Sequence, residues 1–179
     1  MKVLRKFSML LALVAVVGVG TITIQAQHAT PAHATVSCYG SNCTDKDPTT
    51  TVGTYDGILC NHDAFKQQEL DKNGAYVQNW WSQSCNANWT VGQAKAGDSI
   101  VYIEQWLCAG QVSGIDCSTT VQYYDETVPG YSCLQPSVAC HHDIPVGTTH
   151  WYVNMVNGNV HVASLVYFAS GFGLMTTYQ

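Results

Sequence analysis

Polar and apolar positions along this chain fall into a few distinct patterns. Lys2, Arg5 and Lys6 precede an apolar run from Phe7 to Gly20, which leads to the small-residue exit Ile24-Gln25-Ala26. A cationic head, a short apolar stretch and such an exit predict a secretory signal peptide over 1–26, with Ala34 as the alternative cut. The run is too short and too unevenly flanked for a membrane span. From Gln27 to Ser37 the residues are small and polar around Pro31, which predicts a flexible leader over 27–37. Residues 38–179 are then expected to form a single Cys-rich domain, long enough to bury about two-thirds of its surface.

Within that domain, Cys38 to Gly57 is dense in Gly, Asn, Asp and Thr and reads as turns. Ala64–Leu70 predicts the single short helix, capped by Asn61 or Asp63 and stopped by Asn73-Gly74. Tyr76–Ser82, Ser99–Leu107 and Thr119–Tyr124 read as strands, the second almost continuously apolar and therefore central. Asn157-Gly158, between Trp151–Val156 and Asn159–Phe168, predicts a type I′ hairpin. Its register puts Trp151, Val153, Met155, Val160, Val162, Val166 and Phe168 on one face, and Tyr152, Asn154, Asn159 and His161 on the other. Val160–Phe168 is only strand-length and is followed by Gly171 and Gly173, so no membrane span is expected after the leader. Short strands, frequent turns and at most one helix predict a mainly β fold, either a small disulfide-stapled β-sandwich or a partly open β-barrel.

Charge narrows the function. Of the 7 basic residues, Lys2, Arg5 and Lys6 belong to the leader, leaving Lys46, Lys66, Lys72 and Lys95 against 12 acidic residues. Nucleic-acid binding needs clustered cations to displace condensed counterions, and an acidic domain without arginine lacks them. All 8 cysteines (Cys38, Cys43, Cys60, Cys85, Cys108, Cys117, Cys133 and Cys140) follow the leader. An even number in an exported chain reads as a disulfide framework. The close pairs Cys108/Cys117 and Cys133/Cys140 are expected to close local loops, while Cys38, Cys43, Cys60 and Cys85 bond among themselves. Zinc is the competing reading, on Cys133, Cys140, His141 and His142 and on Cys60 with His62, but an oxidising compartment removes the thiolates that zinc requires.

The opening Cys38-Tyr39-Gly40-Ser41-Asn42-Cys43-Thr44-Asp45-Lys46-Asp47-Pro48 resembles that of an exported bacterial family, domain of unknown function 2690. Cys38, Gly40, Cys43, Lys46, Asp47 and Pro48 carry the match, and Cys60-Asn61-His62-Asp63-Ala64 and Ser84-Cys85-Asn86-Ala87-Asn88-Trp89 extend it. Tyr152-Val153-Asn154-Met155-Val156 resembles the strand opening the family's closing hairpin. Asp45 stands where the family has Gly, the spacer Thr49–Leu59 is long, and an Arg typical of the Tyr76 strand is missing. The resemblance implies export and a Cys-framed fold, and no catalytic residue.

Chemistry-bearing motifs are sparse. There is no Gly-x-Ser-x-Gly elbow and no His-Glu-x-x-His. Asp45, Asp47, Asn42 and Asp56 could offer oxygens to calcium but lack EF-hand spacing, and Asp and Asn before Pro48 are ordinary turn formers. His141-His142-Asp143 reads as an exposed polar loop rather than a base with its orienting carboxylate. No metal and no cofactor is expected. Of the five tryptophans (Trp80, Trp81, Trp89, Trp106 and Trp151) most are expected in the core. Adjacent Trp80 and Trp81 point to opposite strand faces, so one of them is the expected ligand-binding aromatic. The leading expectation is a secreted, non-catalytic domain, extracellular or wall-associated, whose partner is a cell-wall polysaccharide or an extracellular protein. The alternatives are a hydrolase using two carboxylates among Asp47, Asp56, Asp63, Glu69, Glu104 and Glu126, and a small secreted inhibitor.

Overall fold

Alternating burial along short strands organises the chain into two stacked sheets. The computed structural model describes residues 36–108, 121–127, 139–141 and 144–178. Its elements are β1 (Val36–Cys38), a 3₁₀ turn (Gly40–Cys43), β2 (Thr51–Gly53), β3 (Phe65–Lys72), β4 (Ala75–Ser82), β5 (Ala87–Gln93), β6 (Ile100–Cys108), β7 (Val121–Thr127), β8 (Ala139–His141), β9 (His150–Tyr152), β10 (Val156–Asn157), β11 (His161–Phe168) and β12 (Gly173–Met175). The first sheet runs β10-β5-β4-β3, with β9 also on β5; the second runs β12-β11-β6-β7-β8. β4 and β5 lie against β11 and β6, giving a mainly β sandwich that does not close into a barrel. Among the described residues no helix is long and apolar enough to cross a membrane.

Between the sheets, Val77, Ile103, Val166 and Phe168 are fully buried. The expected central strand Ser99–Leu107 is β6, held between β11 and β7, and Tyr76–Ser82 is β4. The strand expected at Thr119–Tyr124 overlaps β7. β1 takes in Val36 and Ser37, two residues ahead of the expected domain start. The expected signal peptide and the rest of the expected leader lie outside the described residues.

Two expectations are corrected. Ala64–Leu70 is not a helix; Phe65–Lys72 is the edge strand β3, paired antiparallel with β4. Seven residues carry too little hydrogen bonding to overcome helix nucleation, whereas β4 offers a row of backbone partners. Asn73-Gly74, read as a helix stop, is the two-residue turn of the β3–β4 hairpin, with φ of 57° and 80°. Asn157-Gly158, conversely, does not turn a hairpin: β9 and β10 pair with β5, and β11 pairs with β6 in the other sheet. Gly158 donates its N–H to Asn86 O at 2.8 Å, and a Cβ there would strike the backbone of Asn86 and Ala87. Close approach, not a left-handed turn, is what requires glycine at that crossing. The expected burial alternation holds in part: Val153, Met155, Val162, Val166 and Phe168 are buried, but Trp151 and Val160 only partly, and Val156, Ala163 and Ser164 are buried as well.

Glu104 is the exception in β6. Ile103 faces β5, so Glu104 takes the outer face of the second sheet with Tyr102, which stacks on Tyr167 at 5.0 Å. It is 2 % exposed, accepts Trp106 Nε1–H at 2.6 Å, and has no described cation within ion-pair distance. Burial pushes its carboxyl above the ordinary glutamate range, and the Trp106 hydrogen bond opposes that only in part. A raised folded pKa contributes stability that is fully present below the unfolded value and is lost as pH rises through the folded one. Glu104→Gln keeps an acceptor for the indole and removes the titration. The expected result is a flatter stability profile above pH 4.5, the ordinary value, and a higher urea midpoint at pH 7. An unchanged profile would show that the carboxylate is as well stabilised folded as unfolded.

Candidate functional site

The turn-rich N-terminal stretch folds because its own side chains close its turns. Asp47 Oδ1 accepts Thr49 N–H at 2.7 Å, and Asp56 Oδ1 accepts Ile58 N–H at 3.0 Å ahead of Gly57 at φ 70°. β1 and β2 pair in parallel, and disulfides Cys38–Cys43 and Cys60–Cys85 clamp the segment onto the outer face of the first sheet. Sulfurs of Cys38, Cys60 and Cys85 lie within 4.8 Å of one another, buried with Ala87, Trp89 and Met155. Backbone bonds from Gly40 N to Cys85 O and from Asp45 N to Met155 O, both 2.8 Å, complete the clamp. Cys38, Cys43, Cys60 and Cys85 thus bond among themselves as expected, and the Cys60–His62 zinc reading loses its thiolate.

Cys108 is disulfide-bonded too. The expected partner Cys117, and Cys133, lie outside the described residues, as do His142 and Asp143. Cys140 and His141 belong to β8, described by its backbone register.

This clamped cap carries four of the large apolar side chains exposed among the described residues: Val36, Tyr39, Tyr55 and Ile58. Tyr39 and Tyr55 meet edge to face, centroids 4.9 Å apart, with Tyr55 79 % exposed. With Ile58, Asp56, Asp63, Gln83 and Ser84 they line an open hollow of about 430 Å³. Ser84 ties the two carboxylates together: its hydroxyl donates to Asp56 Oδ2 at 2.7 Å and its N–H to Asp63 Oδ2 at 2.6 Å. Ser82 Oγ–H donates to Asp63 Oδ1 at 2.7 Å, so Asp63, expected as a helix cap, instead anchors the entry to β3 against the end of β4. The Ser84 hydroxyl and the Ile58 N–H hold the Asp56 carboxyl below its usual range. Exposed rings beside hydrogen-bonded carboxylates suit a ligand with a flat face and several hydroxyl or amine donors.

Of the carboxylates singled out in the sequence, only Asp56 and Asp63 share this hollow. Asp47 holds Thr49 and Tyr152, Glu69 pairs with Lys66 and Gln78, Glu104 is buried in β6, and Glu126 belongs to β7. His150 and His161 belong to different sheets. Trp80 is half-buried against the disulfide cluster and donates its Nε1–H to Gln78 Oε1 at 2.8 Å. Trp81, also half-buried, meets exposed Phe65 at 5.3 Å. Phe65 and Trp81 each stand two residues from the hollow's Asp63 and Gln83, about 7 Å of extended chain. Trp89 is core. Tyr39, Tyr55 and Gln83 were not expected; the one sequence signal was a large aromatic at the turn Tyr55-Asp56-Gly57.

Compared with family models, with curated proteins and with solved structures, the chain has no match.

Proposed function

We propose that this chain is an exported, non-catalytic recognition module that binds a cell-surface polysaccharide through the Tyr39–Tyr55 hollow. The observation that carries the reading is the pairing of exposed tyrosine faces with two carboxylates fixed by Ser84 on a disulfide-clamped cap. Sugar rings present apolar faces for stacking and hydroxyls for fixed acceptors, and a rigid site loses little entropy on binding. The leader pattern and the disulfides support export.

Co-sedimentation of the disulfide-intact protein with isolated cell wall and insoluble polysaccharides tests it. Saturable binding is expected, weakened about tenfold by Tyr55→Ala, a loss of about 1.4 kcal/mol. Loss on Trp81→Ala without a Tyr55 effect would move the binding face to the Trp81–Phe65 edge, and no binding would overturn the proposal.

The shared anchoring of Asp56 and Asp63 favours a hydrolase as the second reading. A glycosidase needs one carboxyl kept protonated. Asp56 is held in the opposite sense, so Asp63 would have to be the acid. Release of reducing ends that stops on Asp63→Asn would establish that reading.

A further inference from the structure

A second hollow stands at the far end of β4, ten residues or about 33 Å of strand from Gln83. Three turns meet there: the Asn73-Gly74 hairpin, the β5–β6 turn with Gly97 at φ 80°, and the β11–β12 turn with Gly171 at φ 81°. Lys72, Asn73, Lys95, Ser170 and Phe172 line it, an open hollow of about 270 Å³. An acidic chain has thus brought two of its few lysines to one small hollow. Among the described residues only Lys66 makes an ion pair, with Glu69; Lys72 and Lys95 have no carboxylate within 4.0 Å.

The other lining groups are held for contact. Lys72 Nζ sits 5.1 Å from the centroid of Phe172, whose ring stacks on buried Phe168 at 5.9 Å. The ammonium is therefore held beside an apolar ring face instead of ranging through solvent. Asp98, the neighbouring acid, feels the Lys95 charge but makes its contacts to the turn: Oδ1 accepts Ser99 N–H at 2.9 Å and Ser170 N–H at 3.1 Å, and Oδ2 accepts Ser170 Oγ–H. It fixes the turn that carries Ser170. Lysines, unlike arginines, act as point charges without bidentate geometry, so charge and ring fit select the ligand.

We infer that this hollow is an anion site for a single carboxylate-bearing ring, such as a uronic acid unit, separate from the tyrosine hollow and independent of the reading proposed for it. The carboxylate meets the Lys72 ammonium held over Phe172, and Lys95; the ring packs at the edge of Phe172, while Asn73 and Ser170 are within the same lining for hydroxyls.

Chemical-shift titration at low salt with sodium glucuronate, and with methyl glucoside as the uncharged ring, tests it. Glucuronate is expected to shift Phe172 and the Asn73, Lys95 and Ser170 amides, and the glucoside to bind at least tenfold more weakly. Lys72→Gln and Lys95→Gln should each weaken glucuronate about fivefold, the effect of one cation at contact distance in water. Tyr55→Ala should leave it unchanged, and 0.5 M salt should abolish it. Both lysines are exposed turn or edge residues, so the variants keep the fold, which the unperturbed core resonances verify. Equal binding of both sugars, shifts confined to other residues, insensitivity to both lysine variants, or no glucuronate binding at low salt would each overturn the inference.

Discussion

Replacing Cys60 and Cys85 together by alanine is expected to lower the unfolding free energy by about 3.5 kcal/mol, the larger loss of the two described disulfides. The bond joins residues 25 apart. Cross-linking a loop of that length removes about 12 cal/mol/K from the unfolded chain in the loop-closure treatment, hence about 3.5 kcal/mol at 25 °C. Cys38–Cys43 spans only 5 residues and by the same reasoning contributes about 2 kcal/mol. Paired alanines avoid a stranded thiol. Urea midpoints of the two double variants check the ranking. A greater cost for the short loop would mean that the buried sulfurs matter through packing, not through chain entropy, which their mutual approach within 4.8 Å makes a real competitor. Because the clusters touch, removing all four cysteines should not cost the sum of the two pairs.

The same variant connects stability to the tyrosine hollow. Ser84, which holds Asp56 and Asp63, is the neighbour of Cys85, and Tyr39 is the neighbour of Cys38. Gly53, on β2, is pressed against the Ser84 carbonyl so closely that a Cβ would lie 2.5 Å from it. Releasing Cys60–Cys85 therefore leaves only the Gly53 contact and the Asp56–Ser84 hydrogen bond among these ties, and loosens the loop bearing Tyr55 against the strand end bearing Ser84. Retention on polysaccharide should fall in the Cys60/Cys85 variant even at temperatures where its sheets remain folded, as far-ultraviolet circular dichroism would show.

How much of this was legible in the sequence depends on where each residue's neighbours come from. β6 announces itself because Ile100, Val101 and Ile103 are buried, so a nearly apolar run survives in the sequence, and β4 does so through Val77 and two half-buried tryptophans of strong strand preference. β3 does not. Its residues are nearly all exposed, so no periodicity marks it, and Lys66, Gln67, Gln68 and Glu69 favour helix in isolation. Only pairing with β4 makes it a strand. The Asn-Gly rule was sound but applied at the wrong site, since Asn73-Gly74 meets its φ requirement and Asn157-Gly158 exploits only the missing Cβ. The grouping of Cys38, Cys43, Cys60 and Cys85 is readable from spacing and from the oxidising compartment that the leader pattern leads one to expect. The hollow was not, because Tyr39 and Tyr55 become neighbours only when β1 and β2 pair and the disulfides close. Asp56 and Asp63 were visible as acids, but their common anchor, Ser84, comes from the far end of a strand whose partner had been read as a helix.

β5 went unrecognised for a related reason, and it supports the second large prediction. Its face toward the other sheet carries Asn88, Thr90 and Gly92, all buried, so its polarity looks inverted. Thr90 Oγ1–H donates to Ser164 Oγ at 2.7 Å across the sandwich, which satisfies one polar group there. Gly92 serves packing: a Cβ at that position would lie 2.6 Å from Val166 Cγ2 and 3.2 Å from Ile103 Cδ1. The sheets approach this closely only because the site is empty. Gly92→Val is accordingly expected to destabilise by about 3 kcal/mol, the upper part of the usual overpacking range. Val166→Ala, which empties a fully buried site, is expected to cost about 2 kcal/mol alone. Combined, the two should cost at least 1 kcal/mol less than their sum, because the volume added on β5 occupies the space vacated on β11. A double-mutant cycle read by urea denaturation measures this coupling. Additivity would mean that the clash at Gly92 is relieved by separation of the sheets, and not by the side chain that fills the gap between them.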